Sequence, residues 1–528
     1  MRRRLLPILA ACVLSVLGAS AGNASAAMVT VFGHNGRTHA VNNRFLTGPG
    51  TSPYLPKAAV VGPLLVPDGD PLTIKPSASA PLAQITRVAH ASTTSTTSTT
   101  STSSAPPSKT KKKSKYPQTF PAALAALRKA GQITPIIYAA DLSTWNSAIS
   151  ERKHVVKWRA TQVADVTTLL HNLAVRGQIT AARLPVLMLT LQDNAAYWKT
   201  GQPLVYPDRV QFQGSELVWE YYPGYGLQFQ PQGTFGEADA YYNYGKPPYK
   251  QLQQVMAELL PLAVKRAGGI AWEYYFSWEG GQPPWVSAMA QATGIEALTD
   301  AYLATGNHAF LNDAHQALPL LETKPPTGVA VKTSLGTRYL QYSFTPGTDI
   351  INAFLQTLLG LYDYAQASND PTALALYRAG NRQALAELPS FVIGGWSLYQ
   401  PGQPDNLNYH ELVTGFLQLL CEKTATPAYC KTYQAFEGDL LTKPQLTLDT
   451  TSASANRKFN LQFQLSKYAA VGVTLSQGEL SDCSKSSHEL GQSRRIRIFE
   501  HCEFGNQRLN FAAGVIVDGA DGRALIGK

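Results

Sequence analysis

The chain has 528 residues, of which 44% are hydrophobic, so it is long and apolar enough to bury a substantial core in two or three domains. Its 45 Lys and Arg against 35 Asp and Glu give a formal net charge of +10, which makes an acidic polymer a compatible partner. No nucleic-acid-binding motif, phosphate-binding loop or serine nucleophile elbow accompanies that charge, which argues against nucleic acid binding, nucleotide-dependent transfer and serine hydrolysis.

Residues 1–26 have the composition of a signal peptide. Three arginines at positions 2–4 precede an apolar stretch at 5–16, and Ala-Ser-Ala at 24–26 is a small-residue cleavage pattern. The apolar stretch is too short to span a bilayer comfortably, and no other segment is a better candidate for a membrane span. We therefore predict a secreted protein, extracellular or associated with the cell wall, whose mature chain starts near Ala27. A retained anchor is the alternative.

Two segments before residue 117 lack the patterns of a packed domain. Residues 27–91 contain prolines, glycines and short apolar runs without helical period, which predicts an irregular segment with a turn at 32–36. His34 and His39 in this segment are typical of a surface loop rather than of a metal site. Residues 92–116 are a serine and threonine run followed by prolines and lysines. Because this composition cannot bury enough apolar surface to offset its ordering entropy, we predict a disordered linker.

Helical spacing of apolar residues begins after residue 117. Residues 117–245 are predicted to form helices at 122–130 and 155–173, followed by a small β region at 203–236, where apolar residues alternate with prolines and glycines.

Residues 246–442 are predicted to be a domain of paired antiparallel helices. The expected helices lie at 252–265, 285–302, 351–364, 373–388, 412–421 and 428–441. Helix pairs joined by short loops must bury their apolar stripes on each other. We therefore predict a mainly α fold, an α/α toroid or incomplete α/α barrel with a groove at one rim.

Residues 443–528 change to the two-residue period of β-strands, which predicts an accessory β-sandwich module. The mature chain keeps four cysteines, an even number that suggests two disulfides in an oxidising compartment. Four cysteines allow three connectivities. We favour the pairs close in sequence, Cys421 with Cys430 and Cys483 with Cys502.

Tyrosines recur where the predicted helices of the 246–442 domain begin or end. They are Tyr274, Tyr342, Tyr399 and Tyr409. A phenol combines an apolar ring with an acid of ordinary pKa about 10, so phenols that line one groove can hold sugar rings and transfer protons. The chain has 25 tyrosines, many of them expected to be structural, so the prediction depends on the cluster and not on any one member.

Several runs occur in the order found in a known enzyme family. They lie at 225–231, 272–274, 284–291, 352–354, 359–363 and 409–410. In that order they resemble the C-terminal catalytic region of the D-glucuronyl C5-epimerases, which invert uronic acid residues inside heparan-type polymers. The resemblance covers roughly residues 225–420 and implies an α/α barrel. It also implies removal and return of the C5 proton, with positive or hydrogen-bonding groups that stabilise an enolate-like dianion.

The resemblance implies that Tyr342, Tyr399 and Tyr409 are the catalytic residues. We expect Tyr409 and Tyr399 to act on the proton and Tyr342 to support the base or hold the ring. Gln341 stands where the family has a glutamate, and residues 400–402 replace a run that contains the family's arginine.

Six further residues are predicted to bind substrate: Glu273, Tyr274, Trp278, Gln341, His410 and Arg338. Arg338, or Lys332, could replace the missing arginine, although both are also typical surface charges. Trp285 is expected to be a core residue on a helix stripe. The chemistry requires no cofactor, and a structural divalent cation such as calcium is compatible with the family, although no ligands are assigned.

Two other functions remain open at this stage. A polysaccharide lyase or a glycoside hydrolase could use the same toroid, the hydrolase with carboxylates from Glu237, Asp239, Glu273 and Glu279. A glycan-binding protein without turnover is compatible with Gln341 and the missing arginine.

Overall fold

The computed structural model describes residues 116–442 continuously, together with residues 28–32, 38–42, 445–448, 452–454, 460–467, 470–477, 480–487, 493–497, 508–516 and 525–526. This part of the chain is mainly helical, as predicted. The helices are α1 (Phe120–Lys129), α2 (Pro135–Glu151), α3 (Lys157–Val175), α4 (Leu184–Tyr197), α5 (Pro231–Asn243), α6 (Lys250–Leu259), α7 (Ala288–Thr305), α8 (Ala309–Ala317), α9 (Pro319–Glu322), α10 (Ile351–Ser368), α11 (Pro371–Glu387), α12 (Leu407–Thr424) and α13 (Pro427–Leu441).

Short strands lie between the helices and beyond them. They are β1 (Met28–Phe32), β2 (Thr38–Asn42), β3 (Arg209–Gln211), β4 (Val218–Tyr222), β5 (Gly226–Phe229), β6 (Val264–Arg266), β7 (Gly269–Ala271), β8 (Ala330–Lys332), β9 (Thr337–Tyr339), β10 (Leu398–Gln400), β11 (Gln403–Pro404), β12 (Leu446–Leu448), β13 (Ser452–Ser454), β14 (Asn460–Leu465), β15 (Ala470–Gln477), β16 (Leu480–Ser487), β17 (Ser493–Arg497), β18 (Arg508–Ile516) and β19 (Leu525–Ile526).

Local sequence explains where several helices begin and end. The Asp370 carboxylate accepts hydrogen bonds from the backbone N–H groups of Thr372 and Ala373, and Pro371 occupies the first helical position of α11. Ser287 caps α7 in the same way through the N–H of Ala290. At its other end, α7 stops at Gly306, whose φ of 71° lies in the left-handed region that glycine adopts without strain.

Four helices, α5, α7, α10 and α12, are called here the inner helices, and they run parallel to one another. Residues at their N-terminal ends surround one aromatic cluster: Gln230 (α5), Ser287 (α7), Ile350 (α10) and Tyr409 (α12). Residues further along the same helices interact in a second group: Asp239 (α5), Glu296 and Asp300 (α7), Asp363 (α10) and Lys423 (α12). Helices whose residues meet in this order along the chain point in the same direction.

Each of the last three inner helices has a second helix packed on it. Helices α8, α11 and α13 follow α7, α10 and α12 after connections of a few residues. The pairs of α10 with α11 and of α12 with α13 are those that the apolar periodicity predicts, whereas α8 was not predicted. Closure of the pairs into a toroid remains a prediction.

A five-stranded antiparallel sheet has the order β2-β1-β3-β4-β5. One face is apolar, and its Val210, Trp219 and Leu227 belong to the main hydrophobic core. The opposite face is polar, since Arg209 and Gln228 flank Glu220 on neighbouring strands. All three polar residues are at most 3% exposed. A polar sheet face that is buried to this degree points to a site rather than to an ordinary surface.

The structure differs from the sequence predictions at several places, and helices α2, α8 and α9 are among the elements that were not predicted. Strands β1 and β2 form a hairpin inside the 27–91 segment predicted to be irregular. The predicted β region ends earlier than residue 236, because α5 begins at Pro231. Helix α7 begins after Trp285, which therefore lies in an extended segment and not on the expected helix stripe. Helix α4 was not predicted, because it is buried nearly all round and so shows no polar face.

The C-terminal strands form two antiparallel groups. One sheet has the order β12-β14-β17, and the other contains β13, β18, β15 and β16 with β19 paired to β18. Their packing into a sandwich remains a prediction. Lys467, next to this region, donates to the Thr442 carbonyl oxygen at 2.7 Å, and its ammonium lies 4.4 Å from the centroid of the Trp396 ring.

The Cys421–Cys430 disulfide joins α12 to α13, as predicted. The predicted Cys483–Cys502 pair lies outside the described residues, since residue 502 is not among them. The predicted signal peptide and the 92–115 part of the linker also lie outside them. None of the helices in the described ranges has the length and hydropathy needed to cross a bilayer.

Candidate active site

A small cavity lies at the N-terminal end of the inner helices, beside the polar face of the sheet. It is lined by Arg209, Tyr222, Gln230, Gln232, Tyr274, Trp285, Gln341 and Tyr342. Its volume is about 20 Å³, room for about one water molecule. A sugar ring can enter only if the lining side chains move apart.

Aromatic rings form one wall of this cavity. Tyr274 and Trp285 stack with ring centroids 4.1 Å apart and planes 4° from parallel. Two backbone hydrogen bonds between the same residues, of 2.9 and 3.1 Å, hold the stack in place. The Tyr342 ring meets the Trp285 ring edge-on at 5.5 Å. The predicted residues Tyr274 and Tyr342 therefore lie together at the cavity.

Amide side chains connect the phenols to the helix ends. The Gln230 amide donates to the Tyr222 hydroxyl at 3.0 Å, and its oxygen accepts from the Tyr274 hydroxyl at 2.9 Å. The Gln341 oxygen accepts from the Ser287 hydroxyl at 3.2 Å, the same hydroxyl that caps α7. Gln341 is thus a cavity residue, as predicted.

Arg209 supplies a positive charge at the cavity. Its Nε donates to Oε2 of Glu220 at 2.7 Å, and the two residues face each other across strands β3 and β4. The Glu220 side chain is completely buried. Arg209 thus lines the cavity as half of a buried ion pair, with its charge balanced by Glu220. No motif in the sequence predicts its place there.

Tyr399 and Tyr409 lie next to each other at the same end of the inner helices. Their ring centroids are 5.9 Å apart, and Tyr399 belongs to the aromatic cluster that contains Tyr342 and Trp285. Both rings are buried, with exposed fractions of 1% and 4%. Tyr342 and Tyr399 thus share one cluster, and Tyr409 packs against Tyr399 beside it. Of the three predicted catalytic tyrosines, Tyr342 lines the cavity, whereas Tyr399 and Tyr409 are buried behind its lining, and their catalytic roles remain predictions.

A buried hydrogen-bond network lies behind Tyr399 and Tyr409. The Ser397 hydroxyl donates to Oδ2 of Asp405 at 2.6 Å, and the Ser397 backbone N–H donates to Nδ1 of His410 at 2.8 Å. Nε2 of His410 lies 3.1 Å from the Phe436 carbonyl oxygen, so Nε2 carries the proton. His410 is completely buried and does not line the cavity, so its position gives no support to the predicted binding role.

This network predicts a pH dependence of stability. Burial lowers the pKa of His410 to about 4, so between pH about 6.5 and about 4 the unfolded chain binds more protons. Stability is therefore lost as the pH falls through that window, by up to about 3 kcal/mol from this residue. We expect His410→Gln to remove that part of the slope in denaturant unfolding measured at pH 7 and pH 5.

Asp405 acts in the opposite direction and serves as the control. Burial raises the pKa of its carboxyl to about 8, so its contribution is lost as the pH rises from about 4 to about 8. The free energy of unfolding of Asp405→Asn should therefore rise more steeply with pH than that of the wild type. An unchanged slope in His410→Gln would contradict the assignment.

Glu273 is held in a separate network away from the cavity. Its carboxylate accepts from Arg183 at 2.7 and 3.0 Å, from Arg266 at 2.7 Å and from the Tyr275 hydroxyl at 3.0 Å. Burial raises the pKa of Glu273, but the bonds and charges of the two arginines outweigh burial and lower it overall. This arrangement gives no support to the predicted substrate-binding role of Glu273.

Arg338 also lies away from the cavity lining. It forms ion pairs with Asp349, at 3.2 Å, and with Glu387. Its charge is thus balanced by two carboxylates, and Lys332 is exposed on β8. Neither residue takes the place of the missing arginine in this arrangement.

The four carboxylates considered for a hydrolase do not meet. Glu279 is exposed on a turn, Glu273 binds two arginines, Glu237 is buried, and Asp239 lies near the C-terminal ends of the inner helices. Among the described residues that line the cavity, none is Asp or Glu. The paired carboxylates of a glycosidase are thus not found there.

A half-buried aromatic ledge adjoins the cavity. The Tyr206 ring lies 5.2 Å from Tyr222 and 5.5 Å from Trp278, measured between centroids. Phe344 stacks on Tyr342 at 5.4 Å. Trp278 was predicted to bind substrate, and its position beside the cavity fits stacking against a sugar ring.

Carboxyl groups lie further along the inner helices. Burial, followed by the repulsion of neighbouring carboxylates, raises the pKa of Asp239, Glu296 and Asp300. Lys423 binds Asp363 at 2.8 Å. In the described ranges, no three His, Cys, Asp or Glu side chains are grouped so that they could hold a metal ion, and the calcium considered above remains a prediction.

Comparison with known proteins gives a family for part of the chain. Residues 267–438 match the family model described as D-glucuronyl C5-epimerase C-terminus. The D-glucuronyl C5-epimerase of Caenorhabditis elegans is 35% identical over 130 residues, which are 22% of this chain and 21% of that protein. An uncharacterised protein of Methanocaldococcus jannaschii is 26% identical over 191 residues, 35% of this chain and 62% of that protein.

The chain thus spans about a fifth of the first relative and less than two thirds of the second. The resemblance stated from the motifs is confirmed for the C-terminal region of this family.

Proposed function

We propose that this chain, whose residues 267–438 match the C-terminal region of the D-glucuronyl C5-epimerases, is an exported enzyme that inverts C5 of glucuronate residues within an acidic polysaccharide. The observation that carries the proposal is that Tyr342, which lines the cavity with Arg209, shares one aromatic cluster with Tyr399, against which Tyr409 packs. Export follows from the leader pattern of residues 1–26.

The electrostatics of the site suit a uronate. The inner helices direct their N-terminal ends, the positive ends of their dipoles, towards the cavity. A substrate carboxylate is attracted by them and can share the Arg209 guanidinium with Glu220, which balances its charge in this structure. The negative charge that develops on the carboxylate when C5 loses its proton is stabilised by the same groups.

The reaction requires proton transfer on both faces of the sugar ring. One phenol, as phenolate, takes the C5 proton, and the electron pair of the broken C–H bond moves into the carboxylate as an enolate-like dianion. A second phenol donates its proton to C5 from the opposite face, which inverts the centre. Tyr409 and Tyr399 are assigned these transfers, and Tyr342 with Trp285 holds the ring.

The test is hydrogen exchange at C5 in heavy water. The purified chain is incubated with a polymer of glucuronate and N-acetylglucosamine, and deuterium at C5 is measured by nuclear magnetic resonance. We expect deuterium at C5 together with the appearance of the epimeric uronate. No deuterium in any of several glucuronate polymers would count against the proposal.

Two outcomes of the same incubation identify the alternatives. A lyase also removes the C5 proton but then expels the 4-linked sugar, so unsaturated ends that absorb in the ultraviolet would appear. A glycan-binding protein would bind the polymer, with neither exchange nor cleavage. Each result excludes the other two functions.

A further inference from the structure

A basic surface with an exposed tryptophan lies outside the candidate active site, where α2 ends, α3 begins and α4 ends. We define the Trp158 surface by Arg152, Lys153, Lys157, Trp158, Arg159 and Lys199. Lys153 and Lys157 are exposed. Glu151, which binds Lys199 at 3.1 Å, is the acidic residue that the structure pairs with this group. The surface therefore keeps an excess of positive charge.

Trp158 is exposed and yet fixed in position. Its side chain is 40% exposed, and its ring meets the buried Trp198 ring edge-on at 6.0 Å. The Arg159 guanidinium lies 4.9 Å from the Trp158 ring centroid. That guanidinium donates to the carbonyl oxygens of residues 199, 200 and 201 at 3.3, 3.0 and 3.1 Å. An indole held rigidly at the surface loses little entropy when a ligand covers it.

The Trp158 surface is close to the aromatic ledge of the cavity. Arg159 donates to the carbonyl oxygen of Gly201, and Tyr206 of the ledge follows Gly201 by five residues. The Cα atoms of Gly201 and Tyr206 are therefore at most roughly 18 Å apart, the length of five extended residues. Trp198 also contacts Tyr221 at 5.8 Å on the apolar face of the sheet, whereas Tyr222 of the same strand lines the cavity on the opposite face. The two places therefore lie on different sides of β4, and a polymer must pass the edge of the sheet to occupy both.

We infer that the Trp158 surface is a second binding site for an acidic polysaccharide, on which a sugar ring stacks against Trp158 and carboxylates pair with Lys153 and Lys157. The apolar face of a pyranose matches an exposed indole, and the charges are complementary. A neutral polysaccharide can stack on Trp158 but has no carboxylates to pair with the two lysines. The choice of a uronate polymer as occupant rests on the proposed function, whereas the geometry of the surface does not.

The test measures binding of the purified full chain by affinity electrophoresis. The gels contain the polymer of glucuronate and N-acetylglucosamine, dextran of similar length, or double-stranded DNA. We expect Trp158→Ala to weaken binding to the uronate polymer about fivefold, which is the usual contribution of one aromatic contact at an exposed site to affinity. The Lys153→Gln/Lys157→Gln double variant should bind more weakly and depend less on salt.

Matched controls remove an equal amount of surface elsewhere. Tyr244→Ala deletes an aromatic side chain that is 64% exposed, and Arg128→Gln/Lys129→Gln removes two exposed charges from α1. Both should leave binding unchanged, and thermal unfolding checks that all variants are folded. Unchanged binding in Trp158→Ala would overturn the inference, as would an equal loss on DNA.

A short substrate separates this inference from the proposed function. C5 exchange on a glucuronate-containing disaccharide, which has no further sugar units to offer a second site while it occupies the cavity, should be the same in Trp158→Ala and in the wild type. If the wild type shows no exchange on any substrate but Trp158→Ala still loses polymer binding, the enzymatic proposal fails while the second site stands.

Discussion

Tyr409→Phe is expected to lower the rate of C5 exchange about 10²- to 10⁴-fold, the usual contribution of a positioned acid or base. The phenylalanine ring fills the same space beside Tyr399 but carries no proton to transfer. Binding of the polymer should be retained, because ring packing and Arg209 are unchanged. The measurement is deuterium incorporation at C5 together with affinity electrophoresis on the same polymer.

The matched control is Tyr302→Phe. Tyr302 lies near the C-terminal end of α7 and packs on His308, remote from the cavity. The Tyr302→Phe variant should exchange C5 at the wild-type rate.

Tyr342→Phe should raise KM more than it lowers kcat if this residue holds the ring. Full exchange activity in Tyr409→Phe would remove that residue from the mechanism.

Glu273→Ala is expected to destabilise the fold by about 3–5 kcal/mol, because it leaves two mostly buried arginines without their shared carboxylate. Arg183 precedes α4 and Arg266 ends β6, so the loss separates two elements that otherwise bind one side chain. Calorimetry should show a Tm lower by roughly 10 °C, judged from the usual entropy of unfolding of a domain of this size.

Glu151→Ala provides the comparison for Glu273. Glu151 pairs with Lys199 at the surface, with side chains 33% and 43% exposed, and such pairs contribute about 1 kcal/mol or less. A variant at Glu273 that keeps its Tm but loses polymer binding would instead restore the substrate-binding role predicted from the sequence.

Sequence pattern predicted the helices better than it predicted the site. The helix pairs from α10 to α13 show apolar stripes bounded by caps, and these patterns are local. Tyr342, Tyr399 and Tyr409 could be identified because the family motifs surround them. Arg209 could not, since its meaning depends on pairing with Glu220 across two strands and on burial of the polar face. The alternation of polar and apolar residues in β3, β4 and β5 was the available signal.

Glu273 shows why residues that are adjacent in the sequence can belong to different sites. It lies between Trp272 and Tyr274 in an extended segment, where successive side chains point to opposite sides. Tyr274 therefore reaches the cavity, and Glu273 reaches the two arginines on the other side. Residue type suggested one site for both, but the backbone direction separates them.

Because the inner helices run parallel to one another, their two ends differ in electrostatic character. The helix N-termini make the cavity end attractive to anions, whereas further along these helices burial and neighbouring carboxylates raise the pKa of Asp239, Glu296 and Asp300, which favours their neutral forms. A single anion at the cavity end would therefore be stabilised by the ends of separate helices together, so the loss of any one charged side chain would weaken its binding only in part.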